Sequence, residues 1–310
     1  MSLFRIINNK ISALIKERPF LLEKELQKLT EGNLKAIFGL ELVSSEFDLH
    51  GFRIDSVAFD KSTKSFVIIE YKKDRSFSVV DQGLSYLSLL LNNKGEFIVE
   101  YNENCMANLK REDIDWSQAR VLFLARSFTN YQQNAINFRD LPIELWEVER
   151  YENNSILYNR VESEKTAASM KSLAQSKEIQ RVSKEVKMYS EEDVILRGAK
   201  SEELYKKLKE KVLLIDSNLI PHATKLYLSF RFPNNWRNLI AIWFRKEKLI
   251  IDLLRSRPKD FKDPEKKVRY RKDSIKNYNQ HISSVEVGTE KELEYAMYLI
   301  QQLYDQFVKE

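Results

Sequence analysis

One cysteine, Cys105, seven glycines, six prolines and three histidines are all that a chain of 310 residues contains of these four types. A single thiol forms no internal disulfide and builds no cysteine-based zinc cluster, and it fits a reducing cytoplasm, the expected location. His50, His222 and His281 are too scattered to form a motif. So few glycines and prolines argue against a turn-dense all-β barrel and for long helices with few breaks. No run approaches the ~18 uninterrupted apolar residues of a membrane span. The opening stretch MSLFRIINNKISALIKERPF is charged throughout and lacks a small-residue cleavage site. A soluble, unsecreted protein with no membrane partner is therefore expected.

The hydrophobic content is 43% and the aromatic content 11%, enough for a sizeable core, and the length predicts two domains. Charge is divided unevenly between them. Residues 1–160 carry 21 basic against 23 acidic side chains and residues 161–310 carry 30 against 23, within an overall +5. In the second half, Arg255–Lys276 (RSRPKDFKDPEKKVRYRKDSIK) holds ten basic and four acidic residues. Lys266, Lys267, Arg269, Arg271 and Lys272, with Tyr270 among them, are the pattern that phosphate contacts and counterion release require. A solubilising basic surface has the same composition.

The most informative stretch is RIDSVAFDKSTKSFVIIEYKKD, Arg53 to Asp74. Two β-branched and aromatic runs flank a polar turn cluster, which predicts an antiparallel hairpin. A turn centred between Ser62 and Thr63 sets Val57 opposite Ile68, Phe59 opposite Phe66 and Asp55 opposite Glu70, all on one face with Lys72. Like charges so placed repel. A shared proton, a nearby protein cation or a bound metal would each relieve them. Two carboxylates a few ångströms apart are a hard-oxygen set suited to Mg²⁺ or Mn²⁺, with Lys72 at the rim to orient a water or neutralise developing charge. The plainer reading takes Asp55 as a strand entrance and Glu-Tyr-Lys as a strand leaving the core.

Asp, a short hairpin and Glu-x-Lys resemble the signature of the PD-(D/E)xK nuclease superfamily, and the segment is similar to its branch of single-strand or mismatch endonucleases. The resemblance covers roughly residues 1–160. It implies a restriction-endonuclease-like α/β domain, a mixed sheet flanked by helices. It also implies Asp55 and Glu70 as metal ligands with the Tyr71 backbone carbonyl, Lys72 as the catalytic lysine, and divalent-metal cleavage of nucleic acid, DNA first. Glu46 and Glu31 are the two candidates for an auxiliary acid, Glu46 slightly favoured. Arg53 and Lys73 are candidate phosphate contacts; for Arg53, partnership with Glu70 or Asp74 is the alternative. Gln82 and Tyr86 match a Gln-x-x-x-Tyr element that follows the lysine in some of these nucleases. The superfamily also has catalytically silent members, so a nucleic-acid-binding protein or a protein-interaction scaffold stays open, as does a homodimer.

Around the hairpin, RPFLLEKELQKLTEGNLKAIFG reads as one helix with Leu22, Leu26, Leu29 and Leu34 on its apolar face, ending at Gly39. LELVSSEF reads as a strand, and SFSVVDQGLSYLSLLLNN as a helix opened by Ser76 or Ser78. ARVLFLARSF, a short helix and the hairpin PIELWEVERYENNSILYNRV complete the domain near Arg160. Residues 161–187 are expected as a linker or exposed helix. Residues 188–310 read as a small α+β domain: an amphipathic helix, the strands TKLYLSFRF, NLIAIWFR, KLIIDLLRS and ISSVEV in an antiparallel sheet, and a closing helix. This half resembles a small domain of unknown function often found alone or behind nuclease-like domains. Some relatives are labelled "predicted transport protein", a role that nothing in the sequence supports.

Overall fold

The structure, a computed structural model, describes residues 3–20, 22–72, 78–136, 141–161, 182, 185–232, 237–278 and 280–309. It divides into two compact units, Met1–Met188 and Tyr189–Glu310.

The first unit opens with a hairpin that the sequence reading did not anticipate, β1 (Leu3–Ile7) and β2 (Lys10–Ile15), turned by Asn8 and Asn9 at positive φ. Asparagine tolerates that backbone region, which a two-residue turn needs. The expected single helix is two, α1 (Glu23–Glu31) and α2 (Leu34–Phe38). They part at Gly32 and Asn33, where the Asn33 side chain turns back to the Leu29 carbonyl at 2.8 Å. Gly39 ends α2 in the left-handed conformation, φ 70°. Leu26 and Leu34 are buried, whereas Leu22 and Leu29 are exposed, so the helical stripe is only half used.

Next come β3 (Glu41–Leu49), β4 (Phe52–Asp60), β5 (Ser65–Lys72), α3 (Val79–Asn92), α4 (Lys94–Asn104), β6 (Arg120–Ala125), α5 (Asn130–Ala135), β7 (Ile143–Arg150) and β8 (Ile156–Arg160). Strands β3 to β8 form one sheet in chain order. The first three are antiparallel, β5, β6 and β7 are parallel, and β8 returns antiparallel. The parallel steps need helical crossovers, and α3–α4 and α5 provide them. One face of the sheet, with Val57, Phe59, Phe66, Ile68, Val121 and Phe123, packs against Leu84, Leu87, Leu90, Phe97 and Tyr101 of α3 and α4. On the other, Phe38 of α2 meets Trp146 and Tyr158 edge-on at 5.0 and 5.8 Å. This is the expected mixed sheet flanked by helices. Val182 and Val186 are also buried in the first unit's core, so the described end of the segment expected as linker or exposed helix is packed there.

Two local devices position the β4–β5 hairpin and α3. Asp60 closes the β4–β5 turn, its Oδ1 accepting from the Ser62 and Thr63 amides at 2.9 and 3.2 Å. This fixes the pairing Val57↔Ile68 and Phe59↔Phe66 that the sequence predicts. Ser78 caps α3 through the Asp81 amide. The helix then lies so close to β7 that a Cβ on Gly83 would stand 2.4 Å from Ile143 Cδ1 and 3.3 Å from Phe123.

The second unit has α6 (Glu191–Val194), α7 (Lys200–Ile215), β9 (Ile220–Ala223), β10 (Leu228–Arg231), β11 (Asn238–Phe244), β12 (Leu249–Leu254), β13 (Arg269–Tyr270), α8 (Ser274–Tyr278), β14 (Ile282–Val287) and α9 (Glu290–Lys309). All its strand pairs are antiparallel, in the order β13-β14-β12-β11-β10-β9. Leu293, Ala296, Ile300 and Leu303 of α9, with Leu204 and Leu208 of α7, cover one face. A smaller cluster, Tyr227, Ala241, Leu254 and Ile282 with Trp243 and Tyr278, lies on the other. The short edge strands β9 and β13 carry too few alternating residues to stand out in the sequence.

Gly83→Val is expected to destabilise the protein by about 1–3 kcal/mol, the usual cost of overpacking. Chemical denaturation checks this, and shortening the facing side chain with Ile143→Ala in the same chain should recover part of the loss.

Candidate active site

The pairing of β4 with β5 runs to Ser56↔Ile69. One step further the two strands stop exchanging backbone bonds, and the Asp55 carboxylate takes over: its Oδ2 accepts the Tyr71 N–H at 2.9 Å. Asp55 is thereby fastened beside Glu70. Glu70 is 5% exposed. Its Oε1 accepts from Lys72 Nζ at 2.7 Å and from Gln82 Nε2 at 2.9 Å. Its Oε2 is buried and accepts nothing from the described residues.

Burial, reinforced by the Glu70 charge, raises the Asp55 carboxyl from its ordinary 3.8 to about 6, against the opposing pull of the Tyr71 N–H and Lys72. Of the three remedies for opposed carboxylates, the protein therefore supplies the cation, Lys72, and eases proton uptake at Asp55. One buried oxygen of Glu70 is still unsatisfied, in a setting where such an oxygen is costly.

Gln82 and Tyr86 reach the site together. Gln82 Nε2 donates to Tyr86 Oη at 3.0 Å as well as to Glu70, and the Tyr86 hydroxyl donates to the Arg53 carbonyl at 3.3 Å. Burial and then the Glu70 charge push the Tyr86 phenol well up, keeping it a proton donor. The close seating of α3 at Gly83 sets the depth at which its neighbour Gln82 meets Glu70.

The two candidate auxiliary acids sit differently. Glu46 falls between the pairs Ser45↔Ser56 and Phe47↔Ile54, across from Asp55, with φ at 57°. A non-glycine residue there is strained. Its carboxylate pairs with Lys24 at 2.6 Å and with Arg53. The Lys24 hydrogen bond holds it below the usual carboxylate range. Glu31 reaches β4 from the α1 side, where its Oε1 accepts from Ser56 Oγ at 2.6 Å and from Gln27 Nε2 at 3.0 Å. Ser56 alternates with Asp55 along the strand, so Glu31 braces the sheet from the opposite face. Gln27 also donates to the Asp55 carbonyl at 3.0 Å. The sequence reading did not include Gln27; its i,i+4 spacing to Glu31 signals a helix pair but not its target.

Arg53, expected at a phosphate or against Glu70 or Asp74, is paired with Glu46 and largely exposed. Lys73 lies outside the described residues. Tyr71 gives its N–H to Asp55, and the role of its carbonyl rests on the resemblance alone. Among the described residues no group of three or more His, Cys, Asp and Glu side chains gathers as a metal cage, so the candidate ligands are two carboxylates and backbone. In the second unit Arg271 is engaged by Asp252, and Lys267 by Glu265 at 2.8 Å. Lys266, Arg269 and Lys272 are exposed.

In the metal-free protein the folded state holds the Asp55 proton more tightly than the unfolded chain. Stability contributed by this group is therefore lost as pH rises from about 4 to about 6. Asp55→Asn keeps an acceptor for the Tyr71 amide and carries no such loss. In EDTA, the melting temperature of the variant minus that of wild type is expected to grow across this window and level off above it. A difference independent of pH would show that the Asp55 carboxyl is not raised in the folded protein.

No family model matches the chain. A crystal structure of a repair endonuclease from Pyrococcus abyssi is 17% identical, with a TM-score of 0.25 over 43% of this chain and 49% of that one. The EndoMS-dsDNA2 complex is 18% identical, with a TM-score of 0.28 over 44% and 50%. Both scores are too low to bear on the chemistry. No described helix is long and apolar enough to cross a membrane. An uncharacterized protein from Haemophilus influenzae is 38% identical over 304 residues, which span 97% of this chain and 99% of that protein. On a match of that extent, running through both units, the chain belongs to the same family as the Haemophilus influenzae protein.

Proposed function

We propose that the first unit is a divalent-metal-dependent phosphodiesterase acting on nucleic acid, with DNA the substrate class that the PD-(D/E)xK resemblance implies. The observation that carries this reading is the Glu70 side chain. One oxygen is fixed by Lys72 and Gln82, and the other is buried with no partner among the described residues, while the Glu70 charge is near enough to raise the Asp55 carboxyl. That donor set fits Mg²⁺ or Mn²⁺, hard cations that take carboxylate oxygens and keep several waters.

A bound ion would supply the charge that polarises a phosphate and favours loss of a proton from water. Asp55 and Glu70 would hold it, with the Tyr71 carbonyl as the further ligand. Gln82, itself held by Tyr86, keeps Glu70 in one rotamer so that the bare oxygen is presented. Lys72 sits at the edge of the pair, where its ammonium can neutralise charge gathering on the phosphate. The exposed Lys266, Arg269 and Lys272 of the second unit would add phosphate contacts, which makes binding sensitive to salt.

A silent nucleic-acid-binding protein is the second reading. It is favoured by the closed pairing of Arg53 with Glu46 and by the lack of a third gathered acid among the described residues.

Incubating the protein with single- and double-stranded DNA and RNA in Mg²⁺, Mn²⁺ or EDTA separates the two. Cleavage of at least one substrate is expected with metal and not with EDTA. Asp55→Ala, Glu70→Ala and Lys72→Ala should each lower it by about a hundredfold or more while the circular dichroism spectrum is kept. Metal-dependent cutting that survives Asp55→Ala would place the chemistry elsewhere, and binding without cutting in either metal would establish the silent reading.

A further inference from the structure

The basic segment Arg255–Lys276 is a built surface. Asp252, 2% exposed, accepts from Trp243 Nε1 at 2.8 Å and from the Arg271 guanidinium. That guanidinium lies over Trp243 and Tyr278, 4.8 and 5.2 Å from their ring centroids. Arg271 immediately follows β13, and its amide bonds the Ile282 carbonyl at 2.9 Å. The Ser274 amide bonds the Arg271 carbonyl, and the Ser256 amide bonds the His281 carbonyl at 3.2 Å. Four side chains are thereby held together by fixed backbone: Arg257, Tyr270, Ser274 and His281.

The protons in this group run one way. Arginine only donates, so the contact of Arg257 Nη2 with His281 Nε2 makes that ring nitrogen the acceptor and puts the ring proton on Nδ1. Nδ1 lies 2.8 Å from the Tyr270 oxygen and donates to it. Ser274 Oγ donates to the same oxygen at 3.1 Å. Two donors fill the acceptor capacity of the phenol, leaving its own O–H available to donate. Tyr270 is 41% exposed, and Arg257 beside it is exposed too. The nearby Asp260 carboxylate is engaged by the Arg257 amide at 2.7 Å. What faces solvent is an O–H and a guanidinium, both donors and both in contact with the His281 ring.

We propose that Tyr270 and Arg257 form a phosphate-binding site, oriented by His281 and Ser274. Among the described residues no acceptor faces these two donors; such a pair fits an oxyanion, and a phosphate takes a guanidinium and a hydroxyl together. The site rests on the reading that this unit contacts nucleic acid. The phosphate is either one within the strand or a terminal one, and both share this chemistry.

The test is fluorescence anisotropy with full-length protein in EDTA, using one single-stranded oligonucleotide made with and without a 5′-phosphate, over a range of salt. Tyr270→Phe keeps the ring and removes only the O–H. It is expected to weaken binding about tenfold, the loss of one hydrogen bond to a charged acceptor, with the salt slope unchanged. Arg257→Ala should weaken binding and reduce the slope by about 0.7. If Tyr270→Phe erases a preference for the 5′-phosphorylated strand, the terminal phosphate is the ligand. Equal weakening on both strands identifies an internal one. Affinity within twofold of wild type for Tyr270→Phe on both strands, with its melting temperature unchanged, overturns the site. So does a wild-type chain that binds neither strand, and that result leaves hydrolysis by the first unit to be judged by the cleavage assay. Binding through Tyr270 without cleavage would sink the hydrolysis and keep the site.

Discussion

Everything at the candidate active site depends on the repulsion between two carboxylates that the β4–β5 pairing forces onto one face. The register leaves no freedom. Asp60 fixes the turn, and a slip of one residue would turn Val57, Phe59, Phe66 and Ile68 out of the core. The apolar residues that make the hairpin stable therefore also set Asp55 beside Glu70. The protein answers with Lys72, with the Tyr71 amide and with Gln82, and among the described residues one oxygen of Glu70 still has no partner. A fold under no other demand would place an apolar residue at either position, so the residual cost points to use.

The second unit handles buried charge in another way. Asp252 and Arg271 form a pair in which the cation also stacks on Trp243 and Tyr278, so the guanidinium is held by aromatic faces as well as by the carboxylate. Burial raises the Asp252 carboxyl, opposed by Arg271 and the Trp243 N–H, and one of its oxygens also has no partner. The pair secures the backbone between β13 and α8. It takes one cation out of the basic segment.

The sequence was legible wherever one signal decided the outcome. Alternation and the DKSTKS turn gave the hairpin register to the residue, and helical spacing brought Gln82 and Tyr86 to Glu70. Leu293, Ala296, Ile300 and Leu303, at helical spacing, form the buried face of α9. Legibility failed where a side chain bonds outside its own element. Nothing local says that Arg53 turns to Glu46, that Arg271 is drawn to Asp252, or that Gln27 reaches the Asp55 carbonyl. The α1–α2 break was hidden because leucines at helical spacing continue across Gly32 and Asn33, and the β1–β2 hairpin because its apolar residues lie exposed instead of alternating with a core.

Gly83 and Ile143 are far apart in the chain but occupy what amounts to a single volume between α3 and β7. Within the family, the two positions should therefore not vary independently. A lineage that acquires a side chain at the glycine must shorten the isoleucine or let the helix ride higher on the sheet. A higher helix lifts Gln82 away from Glu70, so the history of a packing contact at the back of α3 would be written into how well the front of that helix can hold a carboxylate in place.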